Sequence, residues 1–159
     1  MPADSDPGAA GPRPAGPTLP KTWRPFGVRA MGGVLIVALY GLCAFSWFAF
    51  GDSIRAKFTV FEKLTLLFFA VLILVLVHAL TRSRVEARRE GLVVVNGYRR
   101  RDLAWEQVVG VHLPPGAPWV TLDLADGTSV PAMGIQASDG GSAKRAAREL
   151  RGLVAAPPR

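Results

Sequence analysis

Seven arginines crowd into a twenty-residue stretch of this 159-residue chain: Arg82, Arg84, Arg88 and Arg89, then Arg99, Arg100 and Arg101. A guanidinium stays charged at any physiological pH and offers a planar fork of donors to carboxylate or phosphate. The chemistry such a cluster supports is recognition of anions, not the making or breaking of bonds. Nothing beside it supplies a reaction. The chain has one cysteine, Cys43, and two histidines, His78 and His112. It has no glycine-rich phosphate loop, no nucleophile elbow, no Cys/His cluster and no paired carboxylates in a suitable setting. His112 has no Cys, His or acidic partner at metal-ligand spacing. His78 has no Asp, Glu or Lys within its apolar run to form a proton relay, so it reads as a neutral imidazole near an interface. The expectation is a non-catalytic protein with no cofactor, no metal and no identifiable small-molecule substrate. Cys43 alone excludes an intrachain disulfide and reads as a small apolar filler in a helix.

The elements that must position the arginines begin with two apolar runs. Residues 30–50 carry no charge, and residues 64–80 contain thirteen Leu, Ile, Val or Phe among seventeen positions. As a helix the first would be about 31 Å long, enough for a hydrocarbon core. The second gains roughly 4 to 8 kcal/mol of gross insertion preference. A cleaved signal peptide is the rival for the first run, but a signal's apolar core is usually shorter and a second run follows here. Tyr40, Trp47 and the nearby phenylalanines suit an interfacial aromatic belt. The chain therefore divides into a Pro/Gly-rich tail over residues 1–20, too poor in large apolar residues to order itself, a membrane hairpin over 21–81 with spans 30–50 and 64–80, a folded module over 82–154 and a short tail over 155–159.

Lys21, Arg24 and Arg29 precede the first span, and Arg82, Arg84, Arg88 and Arg89 follow the second, against Arg55, Lys57 and Lys63 in the loop. The positive-inside bias puts both termini in the cytoplasm of a two-pass cell-membrane protein. Net charge is +7, which invites anionic lipid or nucleic acid. Beside spanning helices lipid is the simpler neighbour, and no nucleic acid is expected. Preference for Arg over Lys with heavy Ala, Gly and Pro use suggests a GC-rich genome.

After Ser83 the apolar period drops to two. Val85 and Ala87 alternate with Arg84, Glu86 and Arg88; residues 92–95 are apolar and mostly β-branched. Asn96-Gly97 is a hairpin signal, followed by a basic strand over 98–103. A strand over 107–113 places Val109, Val111 and Leu113 on one face, with Gly110 marking a bulge or a close approach. Residues 119–124 and 128–132 form a last pair around Asp126-Gly127, with Pro131 at a strand end or sheet edge. A helix over 142–151 carries Ala143, Ala146, Ala147 and Leu150 on one face, with Ser142 as N-cap and Gly152 just past its end. This makes about six short antiparallel strands and one helix.

The runs GLVVVNGYRRRDLAWEQVVGV (residues 91–111) and PWVTLDLADGTSV (118–130), with a final helix, resemble the small bacterial PH-like domain. More closely, the chain resembles PH-domain membrane proteins of high-GC Gram-positive bacteria related to low-molecular-weight protein antigens, which also place two spans before the domain. The resemblance covers residues 30–153. It implies a partly open β-barrel plugged by a C-terminal helix, and binding instead of catalysis. Trp105 and Trp119 then read as core or rim aromatics.

On paired strands the seven arginines form one patch facing anionic headgroups, each adding about 1 kcal/mol near such a surface. Two readings of them stay open: lipid contact, or a solvated strand face that sets topology. The expected function is a membrane-anchored binding module that contacts the anionic leaflet or an unidentified membrane or cytoplasmic protein. The alternative is a structural or scaffolding subunit assembled through its spans.

Overall fold

A buried proline, Pro25, stands immediately before the first long helix. In the computed structural model, which describes residues 18–158, strand β1 (Lys21–Trp23) precedes helix α1 (Phe26–Ala49). A short helix α2 (Asp52–Arg55) turns the chain into α3 (Val60–Arg82). Strands β2 (Arg84–Ala87), β3 (Leu92–Asn96), β4 (Arg99–Leu103), β5 (Val108–His112), β6 (Trp119–Leu124) and β7 (Ser129–Gln136) follow, then α4 (Gly141–Ala155). Most of the proline-rich tail lies outside the described residues; of its last positions, Leu19 lies against the core.

α1 and α3 are long and apolar enough to cross a membrane, at about 36 and 35 Å, and neither buries a residue. α3 starts on a capping box: Thr59 N–H donates to Glu62 Oε2 (2.8 Å) and Glu62 N–H to Thr59 Oγ1 (3.3 Å). The two helices meet where Gly32 leaves room for Val77, a Cβ at Gly32 falling 2.9 Å from Val77 Cγ1. Midway, Tyr40 donates its hydroxyl proton to the Ala70 carbonyl. At the far end the Trp47 and Phe58 rings meet edge-on, 5.7 Å apart. Cys43 sits exposed on α1.

The strands form two antiparallel sheets, β1-β2-β3-β4 and β5-β6-β7, with no ladder joining β4 to β5. The fold class is the one the sequence implies, an unclosed barrel included, and a seventh strand, β1, precedes the helices. Alternation builds the core: Val85, Ala87, Leu92, Val94 and Leu103 face inward from the first sheet, Val120, Leu122, Leu124, Val130 and Ala132 from the second. Ala143, Ala146, Ala147, Leu150 and Leu153 of α4 close them over. That last residue explains why α4 runs through Gly152, where the sequence suggested a stop: Leu153 extends the buried stripe. The N-cap is Gly140, at φ +59°, while Ser142 lies inside the helix and donates to the Asp139 carbonyl.

Two further local expectations shift. Register slips at Val108/Gly110, so Val108 and Val111 are buried and the bulged Val109 points outward, 63% exposed. The hairpin turn is Gly97-Tyr98, since Asn96 pairs with Arg99. Gly97 at φ +61° with no positive φ at Tyr98 is the II′ pattern. Asn96 is thereby freed to bridge the sheets: its Nδ2 donates to the Pro131 carbonyl (2.5 Å), and Met133 N–H donates to its Oδ1 (3.0 Å). Both partners belong to β7, the strand that lies across β2 and β3. Asn96→Ala should therefore cost about 2 kcal/mol, the penalty for unpairing two part-buried backbone groups, read as a lowered denaturation midpoint with an unchanged denaturant slope.

Candidate functional site

Register sorts the seven arginines. Arg99 and Arg101 share the inner face of β4 with Leu103, while Arg100 and Asp102 take the outer face. Arg84 and Glu86 lie on that same outer face of β2. There the arginines are already partnered. Arg88 Nε sits 2.8 Å from Glu86 Oε1, Arg84 Nε 3.8 Å from Glu86 Oε2, and Arg100 Nη2 2.7 Å from Asp102 Oδ1. These bonds, from Arg88 and Arg100 respectively, hold the Glu86 and Asp102 carboxyls below the usual carboxylate range. Beneath them Val93 and Val95 point away from the core yet are only 4% exposed, their cross-strand neighbours being these long side chains.

Height above the helices sorts them again. α3 passes into β2 through Ser83 alone, so Arg82 and Arg84 stand at the helix end, and Arg99 and Arg100 lie across from them at the β3–β4 turn. Arg88 and Arg89 are at the opposite end of β2, about 13 Å further along by strand rise. The structure thus places the seven on two faces and at two heights. Arg89 is exposed, and its carbonyl and that of Arg88 accept from the buried Trp105 Nε1 at 3.0 and 3.2 Å.

The turn itself rests on α3. A methyl group on Gly97 would lie 3.5 Å from Ala79 Cβ, and Gly97 N–H donates to Ser83 Oγ (3.0 Å). The Tyr98 ring lies 6.0 Å from His78 and 5.8 Å from the Arg82 guanidinium. Next to this turn a cleft of about 260 Å³ opens between β4 and β7, lined by Val94, Asn96, Arg99, Arg101, Ser129 and Met133 among others. None of the ion pairs found among the described residues engages Arg82, Arg99 or Arg101.

The candidate site is thus carried by a four-stranded and a three-stranded antiparallel sheet in chain order, packed against a C-terminal helix. Residues 82–153 match the bacterial PH domain family. Similar proteins include an uncharacterized protein of Mycobacterium bovis and uncharacterized proteins of two Mycobacterium tuberculosis strains, each 39% identical over 74 residues. The match covers 46% of this chain and 48% of each relative, so the chain aligns with about half the length of the proteins it resembles. No solved structure gives a significant match.

The family match begins at Arg82, the last residue of α3, yet the PH-like domain here also holds β1. Trp23 is 9% exposed in the core, and its Nε1 donates to Glu149 Oε2 (3.2 Å); Lys21 Nζ lies 2.7 Å from the same oxygen. Asp139, in the turn before α4, accepts from Phe26 N–H (3.1 Å) and Gly27 N–H (2.8 Å) and so caps α1, whose own N-cap Pro25 has no capping side chain. Asp139, Glu149, Asn96 and Tyr98 are the residues that sequence reasoning missed. Their partners lie from 16 to more than 100 residues away and leave no local spacing signal.

His112 does gain an acidic partner through the fold: its Nε2 is 2.7 Å from Asp123 Oδ2, and Ser129 Oγ donates to Asp123 Oδ1 (3.0 Å). The carboxylate stands between hydroxyl and imidazole, which is not the order that activates a nucleophile. Among the described residues no three His, Cys, Asp or Glu side chains gather as a metal site.

The Glu149 carboxyl is held below its ordinary value of 4.5, chiefly by the hydrogen bond from Lys21, then by that from Trp23. A carboxyl depressed on folding contributes stability that is present above its unfolded pKa and lost as pH falls through the folded one. The PH-like domain should therefore lose stability over the interval in which pH falls from the unfolded value of 4.5 through the lower folded one. Glu149→Gln should lose less over the same interval, as thermal unfolding scans across that range will show.

Proposed function

We propose that this protein is a two-pass cell-membrane protein, with both termini in the cytoplasm, whose PH-like domain is a non-catalytic binding module held against the anionic leaflet. The observation that carries the reading is the seat of the β3–β4 turn on the last turns of α3. If α3 spans the bilayer, Gly97, Tyr98 and Arg82 are fixed at headgroup level, with Tyr98 an interfacial aromatic. β1 and β2 are paired strands of one sheet, so the chain before α1 and the chain after α3 lie on one side of any bilayer the helices cross. That side carries the larger share of basic flanking residues, which the positive-inside bias assigns to the cytoplasm.

Within this rim the working cations are Arg82, Arg99 and Arg101, together supplying about 3 kcal/mol of attraction to an anionic surface. Arg84 and Arg100 stand at the same level with their charge offset by Glu86 and Asp102. Arg88 and Arg89 lie beyond one Debye length, about 8 Å, from the rim and serve the domain's surface instead.

Amide exchange of residues 96–101 tests this with the full chain in nanodiscs. Anionic lipid should slow exchange relative to phosphatidylcholine, salt should reverse the slowing, and a triple change of Arg82, Arg99 and Arg101 to glutamine should abolish it. Arg88→Gln with Arg89→Gln should leave it intact. Equal exchange in both lipids would rule out leaflet contact and transfer the role to a protein partner.

A further inference from the structure

We propose that the segment from Leu19 to Pro25 is a strap through which the membrane hairpin and the PH-like domain control each other's conformation, whatever the arginine rim binds. β1 completes the first sheet by pairing Lys21 with Ala87, Thr22 with Glu86 and Trp23 with Val85. Two residues later α1 begins, and its first two N–H groups are bound by Asp139. Asp139 lies in the turn that leads into α4 and Glu149 lies within the helix, so one turn-and-helix unit of the domain grips both the strap and the end of α1.

There is almost no slack. Arg24 and Pro25 alone separate β1 from α1, and Ser83 alone separates α3 from β2. A connecting residue spans at most about 3.6 Å. α1 therefore cannot move along or away from α3 by more than a few ångströms without peeling β1 from β2 or withdrawing Phe26 and Gly27 from Asp139. The joint is also the place most able to open. β1 has three residues at a sheet edge, its Lys21–Glu149 pair is a third exposed, and the Phe26–Asp139 bond is exposed.

Coupling of this kind is reciprocal: what tightens β1 on the sheet must tighten α1 on Asp139, and the converse. A ligand or helix that displaces α1 within the bilayer would loosen the edge of the sheet, and a partner that binds the α4 face would reset α1. The strap thus makes the domain and the hairpin a single responsive unit.

The test uses the full chain in phosphatidylcholine nanodiscs, where contact with an anionic leaflet predicts no effect. Asp139→Ala removes hydrogen bonds to Phe26 and Gly27 and none to β1 or β2, yet it should speed amide exchange across the β1–β2 ladder by about 5- to 30-fold, while exchange in β5, β6 and β7 stays unchanged. A disulfide between Thr22→Cys and Glu86→Cys, directly opposed across the strands, should slow exchange of the Phe26 and Gly27 amides by a comparable factor; Cys43→Ser is made first. Asp139→Asn keeps one acceptor and should fall between wild type and Asp139→Ala. The proposal is overturned if Asp139→Ala affects only Phe26 and Gly27, or if the cross-link forms without changing their exchange.

Discussion

Gly134→Val should prevent the domain from folding, and Gly134→Ala should cost about 3 kcal/mol, the upper end for forcing atoms into a filled interior. Gly134 sits in the irregular stretch of β7 between Ala132 and Gln136, where pairing with β6 is interrupted and the strand lies against β2. A Cβ there would lie 2.5 Å from Arg84 C and Val85 N and 2.6 Å from Arg84 Cα. All three are backbone atoms, so no side chain can swing aside, and the strands must separate. Separation would open the contact where Val85, Ala132 and Ile135 are essentially without solvent. β2 cannot yield by sliding, because Ser83 ties it to α3 and Asn96 ties its neighbour β3 to β7. Gly152→Ala provides the contrast. It lies inside α4 with open space where a methyl group would stand, so the change should stabilise by about 0.5–1 kcal/mol. Denaturant unfolding of both variants followed by tryptophan fluorescence settles the comparison, and Gly134→Ala unfolding at the wild-type midpoint would refute the close approach.

How much of this was legible in the sequence follows from the range of each interaction. The two long helices announce themselves by missing charge, and β2, β6 and β7 by alternation, because both signals are complete within one element. Alternation also contained the split of Arg99 and Arg101 from Arg100, but the register that decides which face is inner comes from pairing Val94 with Arg101. On β3 the signal was hidden: residues 92–95 are all buried, since Val93 and Val95 lie under the outer arginines while Leu92 and Val94 enter the core. One bulge reversed Val109. Asn96 advertised a turn, and its side chain instead joins β7, 35 and 37 residues on. β1 had no signal at all, since three residues cannot show a period. Only a tryptophan among basic residues, 62 residues from its strand partner Val85, marked the place.

That tryptophan carries the other large effect. Trp23→Ala should cost about 3–5 kcal/mol, the range for removing a buried aromatic. A domain of this size holds roughly 4–11 kcal/mol in all, so most of its margin would go. The loss divides into two parts that a second variant separates. Trp23→Phe keeps a ring in the site but removes the bond to Glu149, and should cost about 1–1.5 kcal/mol. The same reasoning extends to the boundary at which the family match begins. A fragment starting at residue 82 retains β2 to β7 and α4 but lacks Trp23, Leu19 and the strand that covers the β2 edge. It should keep secondary structure while losing sharp thermal unfolding and near-ultraviolet dichroism, and a peptide of residues 18–25 added in trans should restore both in part. If the fragment alone unfolded as cooperatively as the intact chain, β1 would be an ornament on a self-sufficient domain. The burial of Trp23 and the two contacts to Glu149 argue the opposite: the first strand of this domain is encoded on the far side of the two long apolar helices, and the fold closes only when both ends of that helix pair arrive at the same sheet.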